Sequence, residues 1–277
     1  MKKTVIAFGE ILWDILPDDT ILGGAPFNFI NRVNSLGERG LIVSRIGRDE
    51  QGQKAYEAVD SLGLETGYIQ WDEKYPTGTV QVSFEENNNP DYAIIPGVAY
   101  DYIGMTDSLT EIASKADCIC FGTLIQRSEK SRNTLEKLLE ISSQSIKVLD
   151  INLRKKCYSK ETIIFSLDKA DVLKLNEDEA VILSHMLELH ETEIPRLCNI
   201  MTETWSLRYC IVTFAEKGAY LCTDSGQAVY EPGFKVQYVD SVGSGDAFTA
   251  GFVHAILNGE TPQEACRLGN ILGALVA

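Results

Sequence analysis

Residues 240–246 read Asp-Ser-Val-Gly-Ser-Gly-Asp and carry the strongest structural signal in the chain. The alternating run at residues 235–239 predicts a strand before them, and apolar residues recur every four positions from Phe248 to Ile256, as on one helix face. The glycines therefore stand where a strand turns into a helix N-terminus, whose free N–H groups and dipole attract an anion. Asp246 beside that anion suggests phosphoryl transfer with a general base. The alternative is a glycine turn with an ordinary aspartate at the helix start.

Length and composition limit the class of protein. A chain of 277 residues with 44% apolar residues suits one large α/β domain, or such a domain with an appendage. The formal net charge of −15 argues against nucleic-acid binding, which needs clustered Lys and Arg side chains. It does not exclude a phosphate-bearing substrate, because a helix N-terminus can hold a phosphate inside an acidic protein.

The sequence shows no signs of membrane insertion, secretion or structural zinc. No apolar run is long enough to span a membrane, and the start lacks the length and cleavage site of a signal peptide. The seven cysteines are scattered and do not have zinc-site spacing. We therefore expect a reduced, cytoplasmic protein with no membrane partner.

Short apolar runs alternate with amphipathic stretches through most of the chain. The runs that predict buried strands are residues 5–8, 41–46, 119–121, 147–151, 172–175 and 210–213. The stretches that predict helices are residues 26–36, 53–62, 130–141 and 177–189. Strands that alternate with helices predict an α/β fold with a doubly wound, mainly parallel sheet flanked by helices.

One part of the chain departs from this alternation. Residues 68–95 alternate with a period of two and contain a turn at residues 87–90, and residues 12–23 could add a hairpin. We expect these two segments, 12–23 and 68–95, to form a small interleaved β-sheet. The α/β core would then consist of residues 1–11, 24–67 and 96–277. The small sheet could be a lid over the active site or an oligomerisation flap.

Polar residues follow the first predicted strand and open the next helix. Asp14 comes soon after the strand, and Gly23, Gly24 and Asn28 come at the following turn. Two glycines let the backbone approach a ligand closely, and Asp and Asn side chains can bind neighbouring hydroxyl groups. A glycine turn with a capping Asn is the alternative.

A second group follows the predicted strand at residues 147–151. In strand geometry Asp150, Asn152 and Arg154 would share one face at the strand's end. An Arg side chain there suits a phosphate or a carboxylated sugar. A structural ion pair is the alternative.

The next two strand ends carry weaker signals. Asn176 and Glu179 open a helix and have oxygen atoms that suit Mg²⁺, although acidic residues also favour a first helical turn as caps. Residues 213–218 follow the last strand of the series and could lie along nucleotide phosphates or ribose.

Together these motifs resemble the ribokinase-like (PfkB-type) carbohydrate kinases over residues 5–277. The glycine segment resembles the family's Asp-Thr-x-Gly-Ala-Gly-Asp signature, with Ser241 and Ser244 as departures. Residues 23–28 resemble its sugar-binding motif, and residues 176–179 are similar to its Asn-x-x-Glu magnesium motif. Residues 150–154 resemble the Asp-x-Asn-x-Arg motif of the fructokinase and 2-keto-3-deoxygluconate kinase branches, and residues 9–14 and 232–236 also look fructokinase-like.

The resemblance implies roles for individual residues. Asp246 would be the base, and Gly243, Ser244 and Gly245 would stabilise the transferring phosphoryl group. The residues implied to bind sugar are Asp14, Gly23, Gly24, Asn28 and Arg154. Those implied to bind ATP are Asn176, Thr213, Gly218, Gly243 and Gly245. Those implied for Mg²⁺, through water, are Asn176 and Glu179, and those for a monovalent cation such as K⁺ are Asp240 and Val242.

The resemblance predicts ATP-dependent phosphorylation of a sugar hydroxyl, with fructose as the first choice. Alternatives are a 2-keto-3-deoxygluconate kinase, a ribokinase, a nucleoside kinase, or a silent relative that binds sugar without turnover. The β-lid would close over the sugar and could mediate a homodimer. Relatives continue past the position of Ala277 with a helix that helps to form the adenine and cation sites, so we expect ATP affinity and potassium activation to depend on that segment. A dinucleotide-dependent oxidoreductase is not supported, because no G-x-G-x-x-G motif follows the first predicted strand. A P-loop enzyme is not supported, because the sequence has no G-x-x-x-x-G-K-[ST] motif.

Overall fold

The computed structural model describes residues 2–16, 19–84, 90–236 and 242–277, and their strands form two sheets. The strands are β1 (Thr4–Phe8), β2 (Leu12–Ile15), β3 (Thr20–Gly23), β4 (Arg39–Gly47), β5 (Ile69–Asp72), β6 (Gly78–Phe84), β7 (Pro90–Ile94), β8 (Cys118–Phe121), β9 (Ile146–Asp150), β10 (Val172–Asn176), β11 (Tyr209–Thr213), β12 (Gly218–Thr223) and β13 (Ala228–Pro232). The helices are α1 (Ala25–Ser35), α2 (Glu50–Ser61), α3 (Asp107–Ala113), α4 (Glu129–Ile141), α5 (Lys160–Lys169), α6 (Glu177–Met186), α7 (Ile194–Trp205), α8 (Ser244–Leu257) and α9 (Pro262–Val276).

Among these residues the large sheet has nine strands, in the order β13-β12-β11-β10-β9-β8-β1-β4-β5. Every pairing from β11 to β5 is parallel, and only β12 and β13 pair antiparallel. The predicted doubly wound, mainly parallel α/β sheet is therefore confirmed. The order reverses between β1 and β8, and ligands of such sheets bind beyond the carboxyl ends of strands at a reversal of this kind.

The core explains why these segments form strands that are buried on both faces. Ile6 and Phe8 of β1 pack into one hydrophobic cluster, and Val5 and Ala7 pack into a second one on the opposite face. Alternate side chains of a strand point to opposite faces, so helices cover both sides of the sheet. The continuous apolar runs in the sequence follow from this double burial.

The small sheet has the order β3-β2-β6-β7. It arises from the two segments expected to form it, but residues 69–72 do not belong to it. Strand β5 pairs in parallel with β4 at the edge of the large sheet. The physical reason is burial, because Ile69 lies in the second core cluster and Trp71 packs against it.

The strand expected just before the glycine motif is wrong at its start, and the rest of it lies on residues that the structure does not describe. Residues 233–236 are not a strand, which contradicts the start of the strand expected at residues 235–239, and residues 237–241 lie outside the described residues. Helix α8 is present as predicted. In the described part of the chain, no helix has both the length and the apolar character needed to cross a membrane.

Candidate active site

A cleft of about 1110 Å³ opens at the carboxyl ends of the strands, between the large sheet, the small sheet and helix α8. It brings together most of the residues selected from the sequence, namely Asp14, Gly24, Asn28, Arg154, Asn176, Glu179, Thr213, Gly218, Val242, Gly243, Ser244, Gly245 and Asp246. Gly23 does not line the cleft, but a Cβ atom there would lie 2.6 Å from Asp14 Oδ2, so this glycine leaves room for the carboxylate. Asp240 lies outside the described residues.

Asp246 lies in the first turn of α8, at the point where a left-handed glycine starts the helix. Gly243 is the N-cap with φ 78°, a conformation that favours glycine. Asp246 is 8% exposed, and Asn28 Nδ2 of α1 donates a hydrogen bond of 2.9 Å to its Oδ2 atom. The two helix N-termini therefore meet at this carboxylate.

The surroundings of Asp246 suit a proton acceptor. The pKa of Asp246 is raised to about 6, chiefly by burial and also by the nearby charge of Asp150. The hydrogen bond from Asn28 and the positive charges of Lys174 and Arg154 lower it and offset part of that rise. The carboxylate is thus ionised near neutral pH, yet more basic than an exposed aspartate.

The start of α8 also presents backbone donors to the cleft. The Ala247 N–H donates to the Gly243 carbonyl oxygen at 2.9 Å and closes the first helical turn. The N–H groups of Ser244, Gly245 and Asp246 precede that bond and have no acceptor within the helix. Ser244 Oγ donates to the Gly273 carbonyl oxygen of α9 at 3.1 Å, which anchors this turn. This arrangement could hold an anion next to the buried carboxylate of Asp246.

A buried lysine that the sequence reasoning missed lies beneath this turn. Lys174 in β10 is 7% exposed, and its Nζ atom lies 3.0 and 3.3 Å from Asp150 Oδ1 and Oδ2. Burial lowers the pKa of Lys174, but the charges of Asp150, Glu179 and Asp246 outweigh burial and raise it, so the amine is a cation. Its signal in the sequence is a lone charge in the otherwise apolar run Val-Leu-Lys-Leu.

Glu10 is a second buried carboxyl group at the site, and the sequence analysis gave it no role. Its Oε1 atom accepts a hydrogen bond of 3.3 Å from the Ala25 N–H at the start of α1. Burial raises the pKa of Glu10 to about 7, while Arg154 lowers it and Asp246 raises it. Glu10, Arg154, Asp150 and Asp246 also line a small cavity of about 20 Å³, which is room for one water molecule.

The loop after β9 differs from the expected strand geometry. Strand β9 ends at Asp150, and Asn152 has φ 41°, so Asp150, Asn152 and Arg154 do not share the face of a strand. The turn at Asn152 nevertheless directs this loop to the cleft, which Asn152 and Arg154 both line. Burial raises the pKa of Asp14, and the positive charge of Arg154 partly offsets it, so these two side chains act on one another across the cleft.

Asn176 and Glu179 form the capping box of α6. Glu179 Oε2 accepts from the Asn176 N–H at 2.8 Å, and Asn176 Oδ1 accepts from the Glu179 N–H at 2.9 Å. Glu179 Oε1 accepts from the Leu153 N–H at 2.8 Å and so holds the β9 loop. Within the described ranges no three His, Cys, Asp or Glu side chains form a group that could hold a metal ion. The remaining lone pairs of Glu179 could still accept hydrogen bonds from metal-bound water.

The far end of the cleft is formed by β11–β13 and α9. Thr213 and Gly218 line it. Gly218 has φ 112°, and a Cβ atom there would lie 2.1 Å from the Glu231 carbonyl oxygen, so the position requires glycine. Asn270 of α9, which the sequence analysis did not select, also lines it and donates to that oxygen at 3.0 Å. Gly218 and Gly233 both line this end, so a ligand could approach the backbone closely there.

The two-sheet architecture agrees with comparisons to known proteins. Residues 19–277 match the model of the pfkB family carbohydrate kinases. The chain belongs to the pfkB family of carbohydrate kinases. It is thus a sugar kinase by family, and the ribokinase-like fold predicted from the sequence is confirmed.

Three relatives illustrate the extent of the similarity. A putative sugar kinase of Pyrococcus horikoshii is 28% identical to this chain over 85% of this chain and 73% of its own length. The crystal structure of that kinase superposes with a TM-score of 0.83 and covers 99% of this chain and 91% of its own chain. Fructokinase-1 of Zea mays is 26% identical over 99% of this chain and 91% of its own. A Vibrio cholerae fructokinase crystallised with fructose, ADP and potassium is 21% identical, has a TM-score of 0.85 and covers 99% and 92% of the chains, so it shows the fold alone.

Proposed function

We propose that this carbohydrate kinase transfers the γ-phosphoryl group of ATP to a hydroxyl group of fructose. The observation that carries the proposal is the buried Asp246 carboxylate at the N-terminus of α8, beside backbone N–H groups that have no acceptor within the helix. A base and an anion site in contact are what phosphoryl transfer to an alcohol requires.

The sugar would bind between the two sheets. Asp14, Asn28 and Arg154 line that part of the cleft, and their oxygen and nitrogen atoms suit hydroxyl groups. Ile21 and Val80 of the small sheet line it from the other side. Apolar side chains over a bound sugar would exclude water that could otherwise accept the phosphoryl group. A homodimer through the small sheet stays a prediction.

The reaction needs one proton transfer and one exchange of bonds to phosphorus. Asp246 takes the proton of the attacking hydroxyl as its oxygen forms a bond to the γ-phosphorus atom and the bond between that atom and the bridging oxygen of ADP breaks. The N–H groups of Ser244 and Gly245 stabilise the negative charge on the transferring group. Asn28, hydrogen-bonded to Asp246, keeps the carboxylate oriented.

Mg²⁺ would neutralise charge on the ATP phosphates when it is bound. Glu179 and Asn176 are the residues that could hold it, and only through water, because both side chains already bond to backbone N–H groups. K⁺ near Val242 and Asp240 is an expectation from the family resemblance.

Fructose is favoured over other sugars by the relatives rather than by the cleft. Curated relatives in Zea mays and Oryza sativa are fructokinases of 26% identity that cover nearly the whole chain. A second candidate, 2-keto-3-deoxygluconate, is favoured by Arg154, whose guanidinium group lines the cleft and could bind a carboxylate.

The test is ADP release from ATP and Mg²⁺ with a panel of fructose, ribose, 2-keto-3-deoxygluconate and a nucleoside. Asp246→Asn is the test variant, and Asp168→Asn on the exposed side of α5 is the matched control. We expect the native protein and the Asp168→Asn control to turn over fructose, and Asp246→Asn to show no turnover. Turnover with another sugar alone would make that sugar the substrate in place of fructose. Sugar binding without ADP release would indicate a silent relative.

A further inference from the structure

Helix α8 is tied to the large sheet by a buried polar bridge, made of Lys174, Asp150 and Thr249, that the reaction scheme above does not use. Thr249 Oγ1 lies 2.6 Å from Asp150 Oδ2, and Lys174 Nζ holds the same carboxylate from the other side at 3.0 Å. All three residues are at least nine-tenths buried. The bridge joins β9, β10 and α8, which are distant in sequence.

The bridge ends directly against the anion site. A Cβ atom on Gly245 would lie only 2.9 Å from Lys174 Nζ, so the amine touches the first turn of α8. Thr249 Oγ1 also lies 3.0 Å from the Gly245 carbonyl oxygen, but a hydroxyl has one proton, and the shorter bond to the carboxylate takes it. Lys174 thus lies directly against Gly245, and Thr249, one turn later, ties α8 to the Asp150 carboxylate.

A buried ion pair is a costly way to stabilise a core, because well-packed apolar residues of similar volume are often at least as stabilising. This pair is not surrounded by apolar core alone, since Lys174 lines the cleft beside Gly245 and Asp246. Its placement therefore points to the reaction and not only to folding.

We propose that the Lys174–Asp150–Thr249 bridge is a positioning device for phosphoryl transfer, which fixes the first turn of α8 and places a positive charge behind the anion site. The inference rests on the proposed function, because it assumes that a phosphoryl group is transferred at this turn. None of the three residues takes the proton or forms a bond to phosphorus. They act through Gly245 and Asp246.

The most selective test is Thr249→Val, which removes the hydroxyl but keeps the shape and both charges. We expect kcat to fall roughly 10- to 100-fold, as small displacements of catalytic groups do, with KM for both substrates nearly unchanged. Thr249→Ser should restore most of kcat. The matched control is Thr134→Val in α4, whose buried hydroxyl donates to the Ile103 carbonyl oxygen at 2.8 Å away from the cleft.

Hydrogen exchange of the peptide spanning α8 provides a readout that does not depend on turnover. Thr249→Val should increase exchange in the first two turns, and Thr249→Ser and Thr134→Val should leave it at the native rate. If the native protein phosphorylates no sugar, the proposed function fails, and the exchange data still decide whether the bridge holds the turn. Native exchange in Thr249→Val would overturn the inference. So would native kcat with only a lower Tm.

The charge is tested by the double variant Lys174→Met with Asp150→Asn, which removes both charges of the ion pair and keeps an acceptor for Thr249. We expect it to fold and to lose at least as much kcat as Thr249→Val. Native kcat in the double variant would show that the ion pair is only structural.

Discussion

Asp246→Asn should abolish turnover and, at neutral pH, make the protein more stable. The native carboxylate is buried, and its pKa rises from an ordinary value of 3.8 to about 6. The folded protein therefore holds the ionised form at a cost. An Asn side chain keeps the shape and an acceptor for the Asn28 amide but carries no charge.

The magnitude follows from the change in pKa. A rise from 3.8 to about 6 corresponds to about 3 kcal/mol against the ionised form, as an order-of-magnitude upper value. Because the pKa is raised on folding, the contribution to stability is fully present below pH 3.8 and is lost as the pH rises through about 6. The variant should thus be more stable than the native protein by about 1 to 3 kcal/mol at pH 8, and by less than about 1 kcal/mol at pH 4.

The assay is urea unfolding of both proteins at pH 4, 6 and 8, together with ADP release at pH 8. We expect the difference in unfolding free energy to grow between pH 4 and 7 and to stay level above it, while kcat falls by about 10²- to 10⁴-fold. A variant that is less stable at pH 8, or a difference that does not depend on pH, would refute the assignment of a buried, destabilising base. Asp168→Asn should change neither quantity.

Further predictions concern the groups around the base. In the native enzyme kcat/KM should rise with pH through about 6 as Asp246 ionises. Asn28→Ala should shift this rise to higher pH, because the hydrogen bond that it removes lowers the pKa of Asp246. The pH–rate profiles of both proteins test this shift. Gly245→Ala should lower kcat by about 10-fold or more, because its Cβ atom would lie 2.9 Å from Lys174 Nζ; steady-state kinetics with the Tm as control separate this from unfolding. Gly24→Ala should lower the unfolding free energy by about 1 to 3 kcal/mol, because φ is 112° there, and an unchanged urea midpoint would contradict that strain.

Local signals explain what the sequence predicted well. The strands of the large sheet are buried on both faces and read as short apolar runs, so their order along the chain indicated the fold. Asp246 and the glycines of α8 were found because a helix start has its own sequence pattern, within a few residues. Asp14 and Asn28 followed from the same reasoning about the residues after the first predicted strand.

What the sequence did not predict depends on contacts between distant parts of the chain. Lys174 meets Asp150 across 24 residues, and Asp150 meets Thr249 across 99, so no local pattern links them. Strand β5 was expected in the small sheet because its alternation fits either sheet, and burial of Ile69 against the second core cluster decides between them. The face expected for Asn152 was wrong because the backbone turns there.

The central claim is Asp246-dependent transfer of a phosphoryl group from ATP to a sugar, and mass spectrometry of the product tests it most directly. The native protein is incubated with fructose and with ATP labelled with ¹⁸O in its γ-phosphate, beside Asp246→Asn. We predict a fructose phosphate that carries the labelled phosphoryl group and retains the sugar oxygen, formed by the native protein alone. Labelled inorganic phosphate without a sugar phosphate, or the same product from Asp246→Asn, would contradict the account.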